Sequence, residues 1–213
     1  MTDKNDAEAI GFGYAEIAYL LKRMSTPAAL MTATVLRLTE EMDSEVLVFA
    51  GASSLLGREF ATVSDDDIEI VDAAVPVSYA MGRATLWTEI SLMESDISDT
   101  IVHVESDPVS LLMQPRTLNT WFAYAQDPDL SGPEAQLDVV REHIRQHPEG
   151  TAMLRARVDG HDSILLVRPD GDGYAVGRIV PGEDSVVERT GLSSEGLLDN
   201  LIELRTDLAT VAS

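Results

Sequence analysis

The sequence predicts an α+β fold, antiparallel sheets flanked by amphipathic helices, on three observations. Residues 152–189 break into strand-length segments, of which 152–158 and 174–180 alternate with a period of two. The segments are separated by turn chemistry, Asp159-Gly160 and then Pro169-Asp170-Gly171-Asp172-Gly173. Apolar stripes at helical spacing stand before and after them. The best-defined part is therefore a C-terminal four-stranded meander followed by a helix.

Taken in order, the chain begins with Ile10, Tyr14, Ile17, Leu20 and Leu21 at helical spacing within 7–24. Gly11 and Gly13 weaken the start, so the helix is expected from about Gly13. Ser25-Thr26-Pro27 reads as a cap followed by proline in the first turn of a second helix. Met31, Val35, Leu38 and Met42 carry its stripe, and the two helices suggest a hairpin. Residues 45–50 read as a strand, and Ser44-Glu-Val-Leu-Val-Phe echoes Ser163-Ile-Leu-Leu-Val-Arg later on. Residues 51–57 read as a loop or a short helical turn. Segments 58–63 and 67–72 suggest a hairpin around Ser64-Asp65-Asp66, and 83–93 and 100–104 two further strands. In 107–125 the period fails: 109–113 suit a short helix after Pro108, and 120–124 suit strand or helix.

Asp127-Pro128 and Ser131-Gly132-Pro133 mark a linker, from which Pro133 opens a helix with Leu137, Val140 and Ile144 on one stripe. His147-Pro148 ends it. In 152–158, Leu154, Ala156 and Val158 share one face while Met153, Arg155 and Arg157 share the other. Ile164-Leu165-Leu166-Val167 has no polar alternation and reads as a more fully buried strand. Tyr174, Val176, Arg178 and Val180 alternate with Ala175, Gly177 and Ile179 until Pro181-Gly182; 185–189 form a short fourth strand. Ser193 or Ser194 caps the last helix, with Glu195 in its first turn and Leu197, Leu198, Leu201, Ile202 and Leu208 on one stripe. The softest point divides the chain into 1–126, a helical hairpin plus antiparallel strands, and 127–213, unless the whole is one continuous domain.

Composition narrows function. The 213 residues include no cysteine, which excludes disulfides, zinc–thiolate sites and thiol catalysis and suits a reducing compartment. No apolar run reaches the ~20 residues of a membrane span, and 1–8 lack a secretory apolar region, so the expected place is the cytoplasm. The net charge of −22 repels phosphate backbones and anionic lipid, so neither nucleic acid nor membrane is an expected partner. Between Glu59 and Asp107 twelve acids face one base, Arg83. That acidity reads either as a solvated, acid-biased surface or as a docking face for a basic partner.

Catalytic patterns fail one by one. His143 and His147 have the i, i+4 spacing that presents two imidazoles to a metal, but Glu142 precedes them instead of following the first histidine, so they read as a solvent-facing pair. Asp170-Gly-Asp-Gly lacks the later ligands of a calcium loop and reads as a turn. Gly11-Phe-Gly13 follows no strand signal, Gly51-Ala-Ser-Ser-Leu55 lacks the closing glycine of a nucleophile elbow, and neither helix of the hairpin has a basic DNA-reading face. No catalytic residue, metal ligand or cofactor is assigned. As protein-binding candidates there remain the acids Asp65, Asp66, Asp67, Glu69 and Asp72 and the aromatics Trp87 and Trp121, the last two weighed against burial in the core.

Gly173-Tyr174-Ala-Val176, then Pro181-Gly182-Glu183, Gly191 and the helix over 197–204 resemble EspG-type proteins, the cytoplasmic chaperones of actinobacterial type VII (ESX) secretion. The resemblance implies two related sheet-and-helix halves and binding of helical secretion substrates before export. It covers the C-terminal stretch alone and transfers no functional residue. Beside it, the acidic, cysteine-free and motif-free character of the chain suits a non-enzymatic cytoplasmic protein-binding module, and with the resemblance this makes a chaperone or adaptor with a basic or helical protein partner the expectation. The competing reading is a small-molecule-binding regulator or an enzyme with a pocket between sheet and helices.

Overall fold

A computed structural model describes residues 9–65, 67–95, 97–179 and 186–211. In chain order the elements are β1 (Ile10–Gly13), α1 (Tyr14–Met24), α2 (Pro27–Leu36), α3 (Thr39–Asp43), α4 (Glu45–Gly57), β2 (Ala61–Ser64), β3 (Asp67–Ile70), α5 (Ala74–Arg83), β4 (Leu86–Glu94), β5 (Ile97–Glu105), β6 (Ser110–Arg116), β7 (Thr120–Ala125), α6 (Gly132–Gln146), β8 (Thr151–Val158), β9 (His161–Asp170), β10 (Gly173–Ile179), β11 (Val186–Leu192) and α7 (Ser194–Val211). The fold is α+β, as the alternating periods predict: among the described residues there are seven α-helices, a nine-stranded sheet in the order β1-β7-β6-β5-β4-β8-β9-β10-β11, and the small hairpin β2-β3.

Two compact units emerge, Met1–Thr85 with Val104–Gln126 and Leu86–His103 with Asp127–Ser213. Residues 86–103 thus group with the C-terminal part, because β4 pairs antiparallel with β8 from Trp87↔Arg157 to Met93↔Thr151.

In the first unit, α1 starts where Glu16 reaches back to accept the Gly13 N–H at 2.8 Å. Ahead of it lies β1, a strand absent from the sequence reading, which pairs with β7 from Ile10↔Ala123 to Gly13↔Thr120. The second helix is shorter than its stripe suggests. Thr26 Oγ1 caps it by accepting from the Ala29 N–H at 3.0 Å, and Arg37 ends it in the left-handed region at φ 60°. Leu38 and Met42, both buried, belong to the next turn, α3.

The strand expected over 45–50 is a helix. Ser44 Oγ accepts the Leu47 N–H at 3.4 Å as an N-cap, and α4 runs on to Gly57 through the stretch expected to be a loop. Gly51 explains the docking: a Cβ there would stand 2.0 Å from the Ala15 carbonyl oxygen, so α4 lies directly on the backbone of α1. Beside that crossing, Glu16 is 2% exposed and accepts hydrogen bonds from Ser54 Oγ at 2.7 Å and Arg58 Nη1 at 2.7 Å. Arg58 also donates to the Gly11 carbonyl at 2.8 Å and lies over the Phe60 ring, 4.6 Å from its centroid. One ion pair therefore joins α1, α4 and β1.

The hairpin around Ser64-Asp65 forms as β2 and β3, in register from Ala61↔Ile70 to Ser64↔Asp67. Segment 109–113, expected as a short helix, is strand β6, and 120–124 is strand β7. Leu118 and Asn119 make the turn between them at φ 60° and 54°, a conformation that Asn-Gly would signal and Leu-Asn conceals.

In the second unit the meander forms as expected, with Asp159-Gly160 turning at φ 46° and 82° and Gly171 at φ 59°. Its closing turn, Pro181-Gly182, lies outside the described residues, as do Val180 and Ser185. Leu154, Leu165, Leu197, Leu201 and Leu204 are fully buried in one core with Ile90, Val140 and Val176. Each such leucine contributes about 1.5–3 kcal/mol of transfer free energy. Helices α6 and α7 supply one side of this core and alternate residues of β4, β8, β9 and β10 the other. Within it Gln136 Nε2 donates to Thr88 Oγ1 at 3.1 Å and meets His103 Nδ1 at 3.1 Å, so the nitrogen of the buried amide is matched. On α6, Ser131 and Glu134 form a capping box around Pro133.

Candidate protein-binding surface

In the second unit the strand period assigns every side chain to one of two faces. Leu154, Ala156, Ser163, Leu165, Val167 and Val176 face α6 and α7 and are buried. The alternate set faces away: Met153, Arg155 and Arg157 on β8; Ile164, Leu166 and Arg168 on β9; Ala175, Gly177 and Ile179 on β10; Val186 and Glu188 on β11. The register places Met153 beside Leu166 and Leu166 beside Gly177, so the apolar members of this set are neighbours.

A solvated face of an antiparallel sheet ordinarily carries polar residues. Here Val186 is 57% and Leu166 36% exposed, and Met153, Ile164 and Ile179 are half-buried. The stretch Ile164-Leu165-Leu166-Val167, expected to be more fully buried, has its odd-numbered members in the core and Leu166 open. A groove of about 420 Å³ runs here, lined by Met93, Leu166, Ala175, Gly177, Val186 and Glu188 among others. Small residues make its floor: a Cβ on Gly177 would already come within 3.1 Å of Val186 Cγ1.

Two pairs of opposite charge stand on this face. Arg157 donates to both carboxylate oxygens of Asp162, at 2.6 and 2.9 Å, and this contact holds the Asp162 carboxyl below its ordinary range. Arg168 spans from β9 across β10 to Glu188 on β11 at 2.9 Å. With carboxylates matched by arginines, this face has none of the acid excess of the chain as a whole.

The residues singled out from the sequence fall in different places. Asp65, Asp67, Glu69 and Asp72 are exposed on and just after the β2-β3 hairpin in the first unit; Asp66 lies outside the described residues. Asp67 accepts from both Arg23 guanidinium nitrogens at 3.1 and 3.3 Å, which lowers its carboxyl pKa. Trp87 is 4% exposed at the start of β4 in the second unit, a buried side chain, while Trp121 is half-buried on β7 in the first unit. The hairpin acids are thus brought together, and the two tryptophans join neither them nor each other.

Two apolar surfaces escaped the sequence reading. One is the outward row of β9 and β10; the other is the exposed side of α4, where Val46 is 78% and Phe49 75% exposed. The helical spacing of Val46, Phe49, Ala50 and Ser53 is the signal that would have found the second. For the first no signal exists, because an apolar strand looks the same whether its second face is covered or open.

The residues of the patterns considered for catalysis take the following places. His143 and His147 are half-buried, not solvent-facing: His143 Nε2 meets the Met93 carbonyl at 3.3 Å and His147 Nδ1 pairs with Glu94, fastening the end of α6 to β4. Asp170 accepts the Gly191 N–H at 2.9 Å, bracing its hairpin against β11. Ser53, the nucleophile position of Gly51-Ala-Ser-Ser-Leu55, lies inside helix α4 and not on a strand-to-helix turn. Among the described residues, no three His, Cys, Asp or Glu side chains gather so as to hold a metal ion, and no helix is long and apolar enough to cross a membrane. Comparison with protein-family models and with curated proteins returns no match.

Proposed function

We propose that the chain is a non-enzymatic, cytoplasmic protein-binding module, a secretion chaperone or adaptor in kind, and that it docks its partner on the outward face of β8-β9-β10-β11. The observation that carries this reading is the row Met153, Ile164, Leu166, Ile179 and Val186, apolar where a solvated sheet face is polar. Contiguous exposed apolar surface of this kind, with charge pairs on the same face, is what a docking site offers a partner. The resemblance of 173–204 to EspG-type chaperones points the same way.

A second reading has one observation in its favour. The groove over Gly177 falls in the size range of small-ligand sites, so a small-molecule-binding regulator would use the same floor. It would lie on the outer face of the sheet, because the space between sheet and helices is filled by the leucine core.

The test is affinity capture from the native host with the wild type and with Leu166→Glu, followed by mass spectrometry under native conditions. A stoichiometric protein held by the wild type and lost from the variant is the expected result. A partner held equally by both contradicts the assignment of the face, and a bound metabolite in place of a protein favours the second reading.

A further inference from the structure

We infer that the exposed side of α4 is a second docking surface, independent of the sheet face, and that its occupant is a positively charged amphipathic helix of another protein. Helix α4 has one charged residue, Glu45, among thirteen. It is apolar or small on every side, the composition of a helix covered all round. Gly51, Ala52 and Leu55 are covered within the first unit. The opposite stripe, Val46, Phe49, Ala50, Ser53 and Gly57, follows the i, i+3, i+4, i+7, i+11 spacing and is exposed throughout.

The stripe itself points to a helix. Ala50, Ser53 and Gly57 are small, so a partner backbone can approach to the 8–10 Å of close helix packing, with Phe49 as the projecting side chain. From Val46 to Gly57 the helix rises about 16 Å, which matches three turns of a partner.

Charge selects the sign of that helix. Exposed Glu40 and Glu45 stand at the N-terminal end of the stripe, and exposed Glu59 follows its C-terminal end. The bases of this region are engaged: Lys22 pairs with Asp43 at 3.7 Å, Arg23 with Asp67 at 3.1 Å and Arg58 with Glu16 at 2.7 Å. A second copy of the chain, also at −22, would bring acid against acid; a basic helix brings lysine and arginine to both ends of an apolar seam.

The experiment uses the full chain and a fluorescent amphipathic peptide of about 18 residues, roughly five turns, made of leucine and lysine at helical spacing. Its controls are the same peptide with glutamate for lysine, and the leucine–lysine composition reordered without helical period. Fluorescence anisotropy is read at low and moderate salt for the wild type, Phe49→Gln, Val75→Ser and Leu166→Glu. The expected result is salt-sensitive binding of the periodic basic peptide alone, weakened at least about tenfold by Phe49→Gln and unchanged by the other two substitutions. Equal binding of the reordered peptide, or equal binding to Phe49→Gln, overturns the inference. So does a wild-type dimer in sedimentation equilibrium that Phe49→Gln dissociates. Loss with Leu166→Glu instead would return the peptide to the sheet face, so the two surfaces fail separately.

Discussion

Ser44-Glu-Val-Leu-Val-Phe and Ser163-Ile-Leu-Leu-Val-Arg share serine, leucine and valine at three of six positions, and one begins a helix while the other builds the middle of a sheet. The difference lies outside the six residues. After Phe49 the chain continues Ala-Gly-Ala-Ser-Ser-Leu-Leu, small enough for α4 to lie on the backbone of α1 at Gly51. After Arg168 it continues Pro-Asp-Gly-Asp-Gly, a turn that sends it back as β10. Local propensity for either state spans about 1 kcal/mol or less per residue, so the tertiary partner decides. Both segments end with one apolar face covered and one open, and those open faces are the two candidate docking surfaces.

If the Gly51 contact makes 44–57 a helix, Gly51→Ala should do the most damage. The new methyl would overlap the Ala15 carbonyl, and α4 must lift from α1. The expected loss exceeds about 3 kcal/mol, read by urea denaturation, with reduced far-ultraviolet helical signal. Arg58→Met comes next. It leaves the Glu16 carboxylate buried with only Ser54 and the Gly13 N–H. Breaking a buried pair typically costs ~3–5 kcal/mol, and with the Arg58 side chain 41% exposed the expected loss is nearer 2 kcal/mol.

On the sheet side the effects shrink, because the face is open. Leu166→Thr keeps strand propensity and removes apolar surface that is already 36% exposed, so stability should change by less than about 1 kcal/mol while partner capture falls. The smallest effect belongs to Asp162→Asn in the β8-β9 hairpin. Arg157 lowers the Asp162 pKa from its ordinary value of 3.8, so this pair stabilises the fold above that value. The contribution is lost as pH falls through the lower, folded-state pKa. In a partly exposed pair it amounts to less than about 1 kcal/mol. Wild type and variant should therefore differ in stability at neutral pH and converge in acid; a constant difference across pH would refute the electrostatic account.

What could be read in advance follows from how local each cause is. The meander was legible because Asp159-Gly160 and Gly171 hold their turns by their own conformational freedom, and α6 because Pro133 and Glu134 sit beside the cap they complete. Strand β1 was not, since its pairing residues, Thr120 to Ala123, stand some hundred positions away in the sequence. Nor was β6-β7, whose turn is made by Leu118 and Asn119 without glycine. Of the candidate acids, Asp65, Asp67, Glu69 and Asp72 are exposed on and just after the β2-β3 hairpin. Trp87 shows the limit, because aromatic identity says nothing of whether the ring is covered.

The central claim is that the outward face of the β8-β9-β10-β11 sheet receives a protein. Its most direct test places a photoactivatable cross-linking amino acid at Leu166, and separately at Ile202 on α7, which is 46% exposed and belongs to no proposed surface. After irradiation in the native host, a discrete adduct with one protein from position 166, absent from 202, is the predicted result. The same adducts from both positions, or adducts from 202 alone, would contradict it.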